Sequence, residues 1–169
     1  MELELFANQM AEHAGSLHSL TLGISADQAC WKPDPQSWSI LEVINHLYDE
    51  ERADFRVRLD IILHHPAQPW PLINPTGWVS EHLYNQRDLA QSVDDFLQER
   101  RKSLAWLRGL ETPDWQASVT SPFGKLSAGD MFAAWVAHDL LHLRQLVELH
   151  WAYTLQAAQP YQLNYAGEW

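Results

Sequence analysis

The fold is decided by residues 127–156, which read SAGDMFAAWVAHDLLHLRQLVELHWAYTLQ. Ser127 followed three residues later by Asp130 is a helix-capping signal, although a weaker one than serine followed by glutamate. Apolar residues then recur at intervals of three and four, which places them on one face of an α-helix. We therefore predict one long helix that ends near Gln156. Its inward stripe consists of Met131, Trp135, His138, His142, Gln145, Leu146, Leu149 and Tyr153.

Three further segments carry the same periodicity. The first helix is predicted over residues 3–20, and the second runs from a capping box at Ser39-Ile40-Leu41-Glu42 to about residue 64. The third is predicted over residues 80–108, with Leu83 facing inward. Between the second and third helices, residues 66–77 hold four prolines and no charge. This composition suits an ordered, partly buried loop that could wall a pocket.

The predicted elements define a fold class. No segment shows sustained alternation of apolar and polar residues, so no strand is predicted. The expected fold is all-α, an up-down four-helix bundle with one long crossover loop. A chain of 169 residues, of which 46% are hydrophobic, is long enough to fill one core. We therefore expect a single domain over residues 1–169.

The net charge and the cysteine content limit the classes of binding partner and the cellular compartment that we expect. The net charge of −11 disfavours partners whose binding requires neutralised phosphates, so we expect neither nucleic acid nor a membrane. Cys30 is the single cysteine, which allows no internal disulfide, and residues 1–10 lack the basic segment of a signal peptide. We expect a cytoplasmic protein in which Cys30 is a packing residue.

Two histidines interrupt the predicted inward stripe of the last helix. His138 and His142 are four residues apart, so their imidazoles can place two nitrogens on one metal ion. The alternative is a pair of core histidines, each hydrogen-bonded to its own partner. Spacing alone leaves both interpretations open. Asp139 lies about 80° from the centre of the stripe and is predicted to be solvated.

The second helix offers further polar candidates. His46, Glu50 and Asp54 follow helical spacing within a stripe bounded by apolar residues. For Glu50 and Asp54, a solvated flank of the helix is an equally good interpretation. Together, His46, His138 and His142 would form a neutral three-imidazole set. Such a set leaves a bound cation its full charge and an open coordination position.

Several segments, taken in order, resemble the DinB-like family, also called the DinB/YfiT-like metalloenzymes. The segments read WKP at residues 31–33, WSILEVINHL at 38–47, HDLLHLRQL at 138–146 and YAGEW at 165–169. The resemblance covers nearly the whole chain and implies a four-helix bundle with a three-histidine metal site. The family's ligands fall on His46, His138 and His142. Two departures concern the surroundings of the site, because the usual HRGQ reads HLRQ at residues 142–145 and Leu141 stands where many members have a further histidine.

The resemblance also implies a function. Members are known for thiol-dependent transferase and isomerase chemistry, so the leading hypothesis is a metal-dependent S-transferase, or related chemistry, that joins a small-molecule thiol to an electrophilic substrate. Zinc or nickel is expected first, with iron, copper or manganese as alternatives, since imidazole suits all of these metals. Glu50 and Gln145 are the candidate catalytic residues. Pairing of family members through bundle faces makes a homodimer possible.

Two alternatives stay open. Residues 138–142, HDLLH, differ from the HExxH motif of metalloproteases by one methylene group. The shortened acid counts against a protease, but metal-dependent hydrolysis of a small amide or ester stays a second enzyme hypothesis. The third is a non-enzymatic bundle that binds an apolar ligand or partner, with Trp70, Trp78 and the aromatic tail as its contact surface.

Overall fold

The computed structural model describes residues 2–121 and 124–167. Its helices, in chain order, are α1 (Leu3–Ser19), α2 (Ala26–Cys30), α3 (Ile40–Glu50), α4 (Arg56–His64), α5 (Pro75–Glu81), α6 (Leu89–Arg108) and α7 (Ala128–Ala157). A π-helical turn (Glu51–Phe55) joins α3 to α4, so residues 40–64 form one continuous helix. Short 3-10 turns lie at Tyr84–Gln86 and Asn164–Ala166.

Four long helices, α1, the 40–64 helix, α6 and α7, build a bundle, which confirms the predicted fold class. Both α1 and the 40–64 helix pack against α6 and against α7. The first and second long helices, α1 and the 40–64 helix, therefore lie diagonally across the bundle, and so do the third and fourth, α6 and α7. Periodicity does not reveal this connectivity, because an apolar stripe can be covered by any neighbouring helix. Within the described residues, no helix combines the length and the apolar character that crossing a membrane requires.

Capping sets the starts of two of these helices where the sequence predicts them. The Ser39 hydroxyl accepts the backbone N–H of Glu42 at 3.1 Å, and the Glu42 carboxylate accepts the backbone N–H of Ser39 at 2.9 Å. The same reciprocal pair forms between Ser127 and Asp130. Both boxes satisfy N–H groups that the first helical turn leaves unpaired. The second and fourth predicted helices therefore begin at the expected residues.

The predicted start of the third helix, at Ser80, is wrong. Asn74 caps the separate helix α5 by accepting a backbone N–H three residues later, at 3.1 Å. After α5, Leu83 takes a left-handed backbone conformation with φ of 52°, and α6 begins only after its cap, Asp88. Leu83 lies in this turn and is 54% exposed instead of facing inward. Cap residues within an otherwise periodic stretch thus divide it into two helices.

A short β-hairpin, which the sequence does not predict, precedes α7. Strand β1 (Ser118–Ser121) pairs antiparallel with β2 (Gly124–Ser127), and Val119 lies opposite Leu126. Strands of four residues are too short for alternation to stand out. The turn predicted at residues 122–124 lies largely outside the described residues.

The proline-rich loop walls a cavity, as predicted, but not beside the candidate ligands. Pro66 and Trp70 line a cavity against β1, and Trp70 packs on the hydrophobic core. The Arg58 guanidinium lies 4.6 Å from the centre of the Trp70 ring. Trp70 therefore covers the core instead of forming an open contact surface. The end of the tail, including Trp169, is outside the described residues.

A polar layer divides the hydrophobic core into two parts. One apolar cluster includes Met10, Leu59, Leu107, Phe132 and Trp135, and the other includes Leu17, Val43, Leu47, Phe96 and Leu146. Along every long helix, polar side chains lie between these two clusters. They are His13 on α1, Glu50, Glu51 and Asp54 on the 40–64 helix, Glu99 and Arg100 on α6, and His138, Asp139 and His142 on α7. Buried polar groups are costly unless they are paired. A whole layer of them calls for a role beyond stability, so we look for the functional site in this layer.

Candidate metal centre

Two histidine side chains of the polar layer, His138 and His142, converge with the side chain of His46. The Nε2 atom of His138 lies 3.1 Å from Nε2 of His142 and 3.4 Å from Nε2 of His46. One ring nitrogen of each residue lies within 4.8 Å of the other two. Helix α3 supplies His46, and α7 supplies the other two from adjacent turns. The structure thus brings together the three residues named as ligands, which we call the histidine cluster.

The spacing of these nitrogens suits a divalent ion. Two ligands of a tetrahedral zinc ion, each about 2.0–2.1 Å from the metal, lie about 3.3–3.4 Å apart. The separations of 3.1 and 3.4 Å in the histidine cluster are close to this value. Two ring nitrogens that face each other can share only one proton, so the cluster does not satisfy all of its own lone pairs. The donor set therefore fits a cation.

Gln145 determines which nitrogen of His142 faces the cluster. The Nδ1 atom of His142 lies 2.8 Å from the Gln145 side-chain oxygen. Because a carbonyl oxygen only accepts, Nδ1 carries the proton and donates it, and Nε2 keeps its lone pair. The outer nitrogen of His46 differs, since its Nδ1 is buried without a hydrogen-bond partner among the described residues. Gln145 thus lies behind a candidate ligand and orients it.

The histidine cluster is uncharged at neutral pH. Burial, and then the neighbouring His142 and His138, lower the pKa of His46 to about 2. Burial, and then His142, lower the pKa of His138 to about 4. Burial also lowers the pKa of His142, against the opposing effect of Gln145. Neutral imidazole is the form that binds metal ions.

Aromatic rings enclose the histidine cluster. The Trp38 ring centre lies 4.8 Å from that of His46, and it stacks parallel to His142 at 6.4 Å. Phe55, in the π-helical turn, lies 4.9 Å from His138. Sequence reasoning gave Trp38 and Phe55 no role. For Trp38 a signal exists, because an apolar residue directly before an N-cap often packs back on its helix.

A groove of about 570 Å³ opens beside His142. Trp38, Gln145, Glu148 and Leu149 are among the residues that line it. Its volume is typical of sites for small molecules. A cavity of about 560 Å³ next to Cys30 contains none of the three histidines, so the groove is the better candidate for a substrate.

Glu50 and Asp54 are both buried, which rules out the solvated flank. Asp54 pairs with Arg58 at 2.7 Å, whereas Oε1 of Glu50 has no hydrogen-bond partner among the described residues. Burial, and then the charge of Asp54, raise the pKa of Glu50 to about 8. Glu50 therefore holds a proton at neutral pH. It lies one helical turn after His46 and is not part of the groove lining.

Asp139, which was predicted to be solvated, is fully buried. Arg100 donates from Nη1 and Nη2 to its two carboxylate oxygens at 2.6 and 2.7 Å. The same guanidinium donates from Nε and Nη2 to Glu51 at 2.8 and 2.9 Å. The prediction fails because the angle around a helix does not reveal an opposite charge across the bundle. We call Arg100, Glu51 and Asp139 the Arg100 network.

Comparisons with known proteins agree with this architecture. The family model described as DinB superfamily matches residues 9–146. YfiT from Bacillus subtilis, described as a probable metal-dependent hydrolase with an unusual four-helix bundle topology, superposes with a TM-score of 0.77 over 88% of this chain and 85% of that one. Its sequence identity of 15% makes this a likeness of fold. No curated protein matches. Because the family model spans most of the chain, including all three histidines, the protein belongs to the DinB superfamily.

Proposed function

We propose that the protein is a divalent-metal-dependent enzyme in which His46, His138 and His142 hold the ion. The convergence of three uncharged ring nitrogens carries this proposal. Without a bound ion, each buried imidazole would need a hydrogen-bond partner of its own. When bound, a divalent cation supplies Lewis acidity, which lowers the pKa of a water or thiol ligand. Zinc or nickel is the proposed ion, because three imidazole nitrogens suit both.

We propose that the substrate binds in the groove beside His142. Trp38 and Leu149 give it apolar walls, and the amide N–H groups of Gln145 can donate to a carbonyl oxygen there. Among the described residues that line the groove, Glu148 has a formal charge and no lysine or arginine is present. A neutral ester or amide therefore suits the groove better than an anion.

Hydrolysis of a small amide or ester is the proposed reaction. The description of YfiT as a probable metal-dependent hydrolase gives independent support. Glu50 is the proposed proton-holding group, because its buried carboxyl stays protonated near neutral pH. Thiol-dependent S-transfer, which the resemblance to the DinB-like family implies, is the second candidate. Among the described residues, no lysine or arginine lines the groove, which weighs against an anionic thiol.

Metal content is the first test. The purified wild type should bind about one zinc or nickel ion per chain, as elemental analysis would show, since three imidazoles form one site. His138→Ala with His142→Ala should abolish binding and leave the helical circular dichroism unchanged. His64→Ala is the matched control, because His64 is an exposed histidine on the helix that carries His46. A wild type that binds no metal would overturn the proposal.

A substrate panel separates the reactions. Metal-dependent release of nitrophenol from a neutral aryl ester, without thiol, would support the hydrolase. Turnover only when a low-molecular-weight thiol and an electrophile are both present would replace it with the transferase. If loaded protein turns over neither substrate, the enzyme proposal fails and a ligand-binding bundle remains.

A further inference from the structure

Arg100 connects all four long helices within the polar layer. It lies on α6 and donates to Glu51 in the π-helical turn, to Asp139 on α7 and to the backbone oxygen of Met10 on α1, the last at 3.0 Å. Its five N–H groups all have acceptors in this arrangement. Only 2% of the residue is exposed. Such a guanidinium has no freedom to move independently of the helices around it.

Both carboxylates of the Arg100 network are close in sequence to candidate ligands. Asp139 directly follows His138, and Glu51 comes five residues after His46. Trp135, one turn before His138, also donates its indole N–H to Glu51 at 2.9 Å. The network therefore joins the helix that carries His46 to the helix that carries His138 and His142.

We propose that Arg100, Glu51 and Asp139 are positioning residues, which set the distance between His46 and the His138–His142 pair. The proposal rests on the proposed metal site. Ligands supplied by two helices must be held to within about 0.5 Å for metal binding. Bidentate pairing of one guanidinium with two carboxylates fixes distance and orientation together. None of the three residues touches the metal or the substrate in this proposal.

The competing account is that the Arg100 network only stabilises the fold. Replacing the whole network by uncharged residues distinguishes stabilisation from positioning. Replacing a complete buried ion network by apolar residues of similar size often leaves a protein as stable as before. The triple substitution Arg100→Met, Glu51→Gln, Asp139→Leu removes every charge of the network, and the glutamine keeps an acceptor for Trp135. If the network acts by positioning, this variant should stay folded and still lose metal affinity.

The experiment measures zinc affinity by competition with a chromophoric chelator. The wild type is compared with Glu51→Gln and with the triple variant, and metal-free samples are melted in parallel. Glu99→Gln is the matched control, because Glu99 is a buried carboxylate next to Arg100 that pairs with Arg56 and Lys102. It loses the same charge without breaking the connection to α7. We expect zinc to bind at least about 10-fold more weakly to Glu51→Gln and the triple variant, the usual cost of losing a residue that supports a ligand.

The outcomes separate this proposal from the one it rests on. A control within threefold of the wild type, together with a triple variant that melts near the wild-type temperature but binds zinc weakly, supports positioning. Wild-type affinity in Glu51→Gln or in the folded triple variant overturns it. A triple variant that does not fold also overturns it, because the network is then required for the fold itself. A wild type that binds no zinc instead overturns the proposed metal site.

Discussion

The histidine cluster and the Arg100 network lie in the same buried layer, yet their polar atoms are paired very differently. In the network, each N–H of one guanidinium has an acceptor. Around the cluster, His46 Nδ1 and Glu50 Oε1 have no hydrogen-bond partner among the described residues, and ring nitrogens face one another. A chain that satisfies a buried arginine so completely can pair buried groups. The ring nitrogens that face one another at the centre of the cluster therefore indicate a place for a ligand.

Removing the cation of the network should have the largest effect on stability. Arg100→Met leaves Glu51 and Asp139 buried without their counter-charge, so the free energy of unfolding should fall by about 3–5 kcal/mol. Urea unfolding followed by circular dichroism measures this loss. Lys102→Met on the same helix is the control, because Lys102 is 66% exposed and its ion pair with Glu99 contributes little. Equal losses of unfolding free energy in Arg100→Met and Lys102→Met would contradict the expected difference between the buried network and a surface ion pair.

How far the sequence predicts each region depends on whether the signal for it lies within one helix or between helices. The bundle follows from periodicity and capping, as at Ser39 and Ser127, because these signals are local. The proposed ligand set follows from two histidines one turn apart on an apolar stripe and from the family resemblance. Each of these signals is confined to one helix, however, so they do not show which helices pack together and which lie diagonally across the bundle.

The Arg100 network was missed for the same reason, although a signal exists. Arg100 falls at helical spacing among Phe96, Leu104 and Leu107, all of which are buried. An arginine inside an apolar stripe needs a buried carboxylate on another helix. The sequence offers Glu51 and Asp139 among many acids, and only the packing of four helices selects them. A helical-wheel analysis that searched for charges inside apolar stripes would have found Arg100 but not its partners.

The hydrogen bond from His142 to Gln145 is the next feature to test. Gln145→Leu removes the acceptor of His142 Nδ1, so the ring loses its preferred tautomer and orientation. Zinc should bind about 10–100-fold more weakly, and competition with a chelator measures the change. Gln145→Glu keeps an acceptor at the same distance from the helix and should retain wild-type affinity or exceed it. Unchanged affinity in Gln145→Leu would show that packing against Trp38 alone orients His142.

The last expected effect concerns the buried Glu50 carboxyl, whose Oε1 has no hydrogen-bond partner among the described residues, and it depends on pH. The pKa of this group is about 8 in the folded protein, against 4.5 for the free side chain. Between these values the folded state binds more protons than the unfolded state, so this group makes stability fall as the pH rises. Glu50→Gln lacks the carboxyl and escapes that loss. Relative to the wild type, the free energy of unfolding of the metal-free variant should rise by about 3 kcal/mol between pH 5 and pH 8.

Urea unfolding at the two pH values measures this gain, and Glu148→Gln on the groove is the control. Glu148 pairs at 2.8 Å with Arg144, which is 77% exposed, so its replacement should give nearly the same stability difference at both pH values. A Glu50→Gln difference that does not change with pH would mean that Glu50 ionises in its ordinary range. Glu50 would then hold no proton at neutral pH, and the proposed proton-holding role would pass to another group. A difference that grows with pH leaves Glu50 protonated one helical turn from His46, as the proposed hydrolysis requires of its proton-holding group.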